Sequence, residues 1–179
     1  MARKNIFDRL LEELDQEDFL EKRAQEWTRK TADALVRHNI EPAVGSVVYS
    51  NMLGFSEHTG IYTGDGDIVH LEGSGAIHIV TPEEFCQRIS GLNPAFTIFC
   101  PVDSRNRPIG DEAVAERALA WVGEDTEYRL LDRNCHAFTA RCLTGREDIF
   151  CPGFTMLEEL LRKEYGMARW RATSLNWDE

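Results

Sequence analysis

The chain has 179 residues, which suits one domain with an appendage better than two full domains, and its 42% apolar content is enough to bury a core and exclude wholesale disorder. Its 31 acidic against 20 basic residues leave a net charge of −11. That charge argues against nucleic acid or an anionic membrane surface as the main partner, because both are polyanions, while an uncharged or zwitterionic lipid remains open.

Residues 6–39 read as helical. Ile6, Phe7, Leu10, Leu11 and Leu14 share one face, and Leu20, Ala24, Trp27, Thr31, Ala34 and Leu35 form a second stripe at spacings of three and four. The polar run Asp15-Gln16-Glu17-Asp18 predicts a break between two helices. Residues 1–41 are therefore expected to form a helical extension that packs on the rest of the chain or mediates self-association. Residues 42–179 are expected to form the main domain.

The texture changes at Pro42. Strands are expected over Gly45–Ser50, His58–Thr63, Ile68–Leu71, Ala76–Val80 and Phe96–Val102, with turn residues at Gly64-Asp65-Gly66-Asp67. Thr81-Pro82 reads as an N-cap and first turn of a short helix. Further helices are expected from Asp111 to a stop at Gly123, from Asn134-Cys135 to Gly145, and over Thr155–Tyr165. Strands clustered in the middle with helices before and after predict an α+β fold with an antiparallel sheet.

The five cysteines, Cys86, Cys100, Cys135, Cys142 and Cys151, are odd in number and form no Cys-x-x-Cys pair, so neither a disulfide framework nor a structural zinc site is expected. A reducing cytoplasm is the simplest location. The first residues lack the apolar core of a signal peptide, and no run of about eighteen apolar residues suggests a transmembrane anchor.

Cys135 is the candidate nucleophile. A lone cysteine is more often a small buried hydrophobe, but one in the first turn of a helix meets unpaired N–H groups and the positive end of the helix dipole, which favour a thiolate. Asn134 before it is a good N-cap type. His58 and His70 flank the expected hairpin and can converge on one point. One imidazole would take the thiol proton and the second would fix its tautomer, with less electrostatic help than a carboxylate gives.

Strand parity sharpens this expectation. His58 and His70 are an even number of residues apart, so a plain two-residue Asp65-Gly66 turn would pair Ile61 with His70 and send the two rings to opposite faces. An odd-length loop, most simply Gly64-Asp65-Gly66, or a bulge nearby is therefore expected. His78 shares a face with His70 only if one strand runs unbroken through Gly73 and Gly75, which is not expected. His136 adjoins Cys135 on the helix, and adjacent helical positions do not face each other. A zinc site built from His58, His70 and Cys135 lacks a clear fourth ligand, so no metal and no cofactor are expected. Gly64-Asp65-Gly66 lacks the Lys-Ser/Thr ending of a phosphate loop and reads as a hairpin.

The segment Gly45–Leu71 resembles the lecithin:retinol acyltransferase family, in which a Gly-led strand precedes a catalytic His, a Tyr-x-Gly-Asp-Gly turn and a second His followed by Leu. Here these are His58, Tyr62-Thr63-Gly64-Asp65-Gly66 and His70-Leu71. The run Arg117-Ala118, Val122-Gly123, Tyr128, Leu130 and Asn134-Cys135 with Phe138 resembles the family's nucleophile helix and its approach. The likeness covers residues 43–145. It implies a circularly permuted NlpC-type, papain-like fold with Cys135 as nucleophile, His58 as base and His70 as third member. It also implies acyl hydrolysis or transfer on an ester or amide through a thioester. The family usually reads Asn-Cys-Glu-His-Phe, whereas this chain reads Asn134-Cys135-His136-Ala137-Phe138. Two alternatives remain: an NlpC-type peptidase or amidase acting on a peptide-like substrate, and a binding module on the same fold without turnover.

Overall fold

The computed structural model describes residues 40–52, 56–87, 97–125 and 134–173. The helices expected over residues 6–39 lie outside them. Six strands form one sheet: β1 (Val47–Met52), β2 (Ser56–Gly64), β3 (Asp67–Leu71), β4 (Ile77–Val80), β5 (Ile98–Val102) and β6 (Arg169–Ala172), in the order β4-β3-β2-β1-β5-β6. Every neighbouring pair is antiparallel. Among the described residues the helices are α1 (Pro82–Gln87), α2 (Glu112–Ala120), α3 (Cys135–Thr144) and α4 (Phe154–Tyr165). This is the expected α+β class with an antiparallel sheet, consistent with a papain-like, NlpC-type fold.

Alternation along the strands sorts the sheet into two faces. Val47, Ile61, Val69, Leu71 and Ile77 bury against Val114 and Ala118 of α2, Phe138 and Cys142 of α3, and Leu157 and Leu161 of α4. The opposite parity, Val48, Tyr62, Ile68, Ile98 and Cys100, buries against Phe85 and Cys86 of α1. The short α1 opens with a capping box: the Thr81 hydroxyl accepts from the Glu84 N–H, and the Glu84 carboxylate accepts from the Thr81 N–H.

The turn between β2 and β3 meets the parity requirement with a bulge. Gly60 pairs with His70, Ile61 with Val69 and Tyr62 with Ile68, but the next pair is Gly64 with Asp67. Thr63 is thus the extra residue on β2. Asp65 and Gly66 form the tight turn itself, both with positive φ (50° and 80°), as a mirror-image hairpin turn requires. The bulge moves the partner of His70 from Ile61 to Gly60, and so returns His58 to the face of His70.

The far end of α3 is held as firmly as its start. Arg117 of α2 donates to the carbonyls of Cys142 (2.6 Å) and Leu143 (3.1 Å), and the Tyr165 hydroxyl donates to Leu143 as well (2.7 Å). These donors satisfy carbonyls that the last helical turn leaves open, and the Arg117 charge suits the negative end of the dipole. Gly145, in the left-handed region, closes the helix. The edge strand β6 was not expected from the sequence. It pairs with β5, and its Trp170 donates to Glu158 of α4 at 2.6 Å.

Candidate active site

His58 and His70 meet. Nε2 of His58 lies 2.7 Å from Nδ1 of His70, with the rings nearly perpendicular and their centroids 5.0 Å apart. Phe85 of α1 packs against both, at 4.9 Å from the His58 ring and 5.7 Å from that of His70. His70 is fully buried, so its ring has little freedom to turn away. Nε2 of His58 is thus the nitrogen turned towards His70.

Cys135 begins α3, as expected, and Asn134 caps the helix: its side chain accepts from the Ala137 N–H at 2.8 Å and donates to the Pro152 carbonyl at 2.9 Å. The thiol lies against Thr59, the neighbour of His58 in β2. Burial pushes the Cys135 thiol above its ordinary value. Hydrogen bonds from the backbone and side chain of Thr59, and from the backbone of His136 and Cys135, pull it back down without prevailing. The helix start therefore does not by itself bring the thiol below its ordinary value. The other four cysteines are free and buried too. Burial raises Cys86 and Cys151 to about 11, and Cys100 and Cys142 to about 12.

Thr59 is a site residue that the sequence offers no signal for, because a threonine in a strand is ordinary. Its hydroxyl lies 3.3 Å from Nδ1 of His136 and accepts from the Thr139 hydroxyl at 3.1 Å, tying the first turn of α3 to β2. His136 therefore lines the site without facing Cys135. Burial lowers its pKa from the ordinary 6.5, partly offset by the Glu57 carboxylate, and keeps the ring neutral near pH 7.

His78 was misjudged. It does not continue the strand of His70; the chain reverses between β3 and β4, and His78 is the direct cross-strand partner of His70. The two rings lie 5.0 Å apart. The readable signal was the turn at Gly73-Ser74-Gly75, since opposed residues in a hairpin share a face. His78 in turn contacts Glu72 at 3.4 Å. A ring nitrogen of His70, one of His78 and a carboxylate oxygen of Glu72 all lie within 4.8 Å of one another. Those donor types would suit a metal ion. A cation on His70, however, would compete with the proton pattern that the pair with His58 needs.

Among the described residues, no helix is long and apolar enough to cross a membrane. A sequence model for the family described as lecithin retinol acyltransferase matches residues 40–148. The human protein named phospholipase A and acyltransferase 2 is 26% identical over 111 residues, which span 54% of this chain and 67% of that relative. The family match spans the two histidines, Thr59 and Cys135.

Proposed function

The chain belongs to the lecithin retinol acyltransferase family, and on that premise we propose that it is a thiol-dependent acyl hydrolase or acyltransferase working through a Cys135 thioester. The observation that carries the reading is the 2.7 Å contact between His58 and His70, on the same strand β2 whose Thr59 meets the Cys135 thiol. The name of the human relative, a phospholipase A and acyltransferase, supports an ester of a lipid as the substrate class.

In this mechanism Nδ1 of His58 takes the thiol proton while sulfur attacks the substrate carbonyl carbon. The carbonyl π electrons move to oxygen, and N–H groups at the start of α3 favour that oxyanion. The tetrahedral species collapses, the C–O bond to the leaving alcohol breaks, and that alcohol takes the proton back from His58. Water or a second acceptor, deprotonated by His58, then attacks the thioester carbonyl, the C–S bond breaks to release the acyl group, and the Cys135 sulfur takes the proton back from His58. His70 holds the His58 ring in register throughout.

Turnover of phosphatidylcholine and of a short activated ester tests the reading. Cys135→Ala should abolish both activities, and His58→Ala should lower kcat/KM by about a hundredfold or more, as loss of a general base does. His70→Ala should cost less, because it orients and does not transfer the proton. Cleavage of peptide amides with no ester activity would instead support the peptidase reading. No turnover of either class by a folded chain would support the binding module.

A further inference from the structure

A carboxylate usually stabilises an imidazolium, and one stands behind the pair His58–His70. For Nδ1 of His58 to accept a proton, its Nε2 must carry one and donate it to Nδ1 of His70. Neutral His70 then carries its own proton on Nε2, which is shut off from solvent. Behind His70 lie His78, its cross-strand partner, and Glu72, two residues further along the same face. The donor atoms of the three lie within 4.8 Å of one another, and Glu72 is held by His78 at 3.4 Å. Ser74 steadies the same carboxylate from the turn, donating to its other oxygen at 2.9 Å.

We propose, resting on the acyl-transfer reading above, that Glu72 is the positioning carboxylate of this site, acting through His70 and held in place by His78. It acts by charge across the cluster and not by a direct hydrogen bond, favouring the proton of His70 on the far nitrogen and so keeping the near nitrogen an acceptor for His58. It also supplies the negative charge that favours positive charge on the two rings once the thiol proton has arrived. Among the described residues no other carboxylate forms such a cluster with His70. β2 presents His58 to His70 and β4 presents His78, while α1 presents the uncharged Phe85 with Glu83 and Glu84 exposed. From α3, Cys135 and His136 lie against Thr59 of β2. From α2, Arg117 is spent on the far end of α3, and Glu112 and Glu116 are exposed.

The test is the pH dependence of kcat/KM of the full chain for p-nitrophenyl butyrate. Loss of the carboxylate weakens the base and makes it deprotonate more readily. Glu72→Gln should therefore lower the plateau by roughly tenfold and move the acid limb to lower pH by about half a unit to one unit. Glu72→Asp keeps the charge and should recover most of the plateau and the wild-type limb. A plateau that falls while the limb stays put, with Asp as damaging as Gln, would mean a structural role and overturn the proposal. So would a wild-type profile in Glu72→Gln. Rates abolished by a chelator and restored by zinc would assign the trio to a metal ion instead. Wild-type hydrolysis indifferent to Cys135→Ala would sink the acyl-transfer reading and this inference together, whereas dependence on Cys135 and His58 but not on Glu72 sinks the inference alone.

Discussion

Burial and hydrogen bonding pull the Cys135 thiol in opposite directions, and burial prevails. The hydroxyl of Thr59 is one of the groups working against it. Thr59→Val keeps the size and the backbone N–H but removes that hydroxyl, so iodoacetamide should modify Cys135 more slowly by about fivefold, the rate equivalent of the ~1 kcal/mol of one hydrogen bond. An unchanged alkylation rate would show that the hydroxyl does not bear on the thiol. His136 gives a separate pH signature. Its pKa in the folded state lies below the ordinary 6.5, so the unfolded chain binds the proton more readily than the folded one. Stability from this group is complete above about 6.5 and is lost as pH falls through that value towards the folded pKa. Urea midpoints measured from pH 7 downward should therefore fall more steeply for the wild type than for His136→Gln. Parallel curves would contradict the buried, neutral assignment.

At the level of elements, the two histidines share a site because of one extra residue and one missing side chain. Thr63 supplies the bulge that sets Gly60 opposite His70. Gly60 is the missing side chain: a Cβ there would lie 2.7 Å from Ile68 Cγ2, 2.9 Å from the Val69 carbonyl oxygen and 3.1 Å from the Phe85 ring. Phe85 packs on both imidazoles, so crowding at Gly60 pushes directly on the site. Gly60→Ala should cost about 1–3 kcal/mol in chemical denaturation, as overpacking does, and should lower esterase activity beyond what the remaining folded fraction accounts for. A variant as stable and active as the wild type would show that the contact yields freely. The bulge was legible beforehand because parity between His58 and His70 demanded it, and α3 was legible from Asn134 and Gly145 at its ends. Strand β6 was not, since Arg169-Trp170-Arg171-Ala172 is a short, charged run whose partner is some seventy residues away along the chain. The place of His78 was missed for a related reason. Periodicity within one segment does not show which residue a returning strand sets opposite.

Over the whole molecule, the sheet order places β2 and β3 in the interior of the sheet, with helices packed on both faces. The two histidines thus sit on strands that cannot slide, and α3 is held at one end by Arg117 and Tyr165 and at the other by Asn134. Such rigidity would suit the proposed site, in which one imidazole holds another in register. On the proposed function, the net charge of −11 would disfavour an anionic surface and favour neutral or zwitterionic esters. Everything in this account passes through one covalent species, so the most direct measurement is intact-protein mass spectrometry after brief incubation with a short activated ester, followed by peptide mapping. The account predicts a single added acyl mass on the peptide containing Cys135, absent from Cys135→Ala and formed at least tenfold more slowly in His58→Ala. An adduct spread over Cys86, Cys100, Cys142 or Cys151 and indifferent to His58 would contradict it.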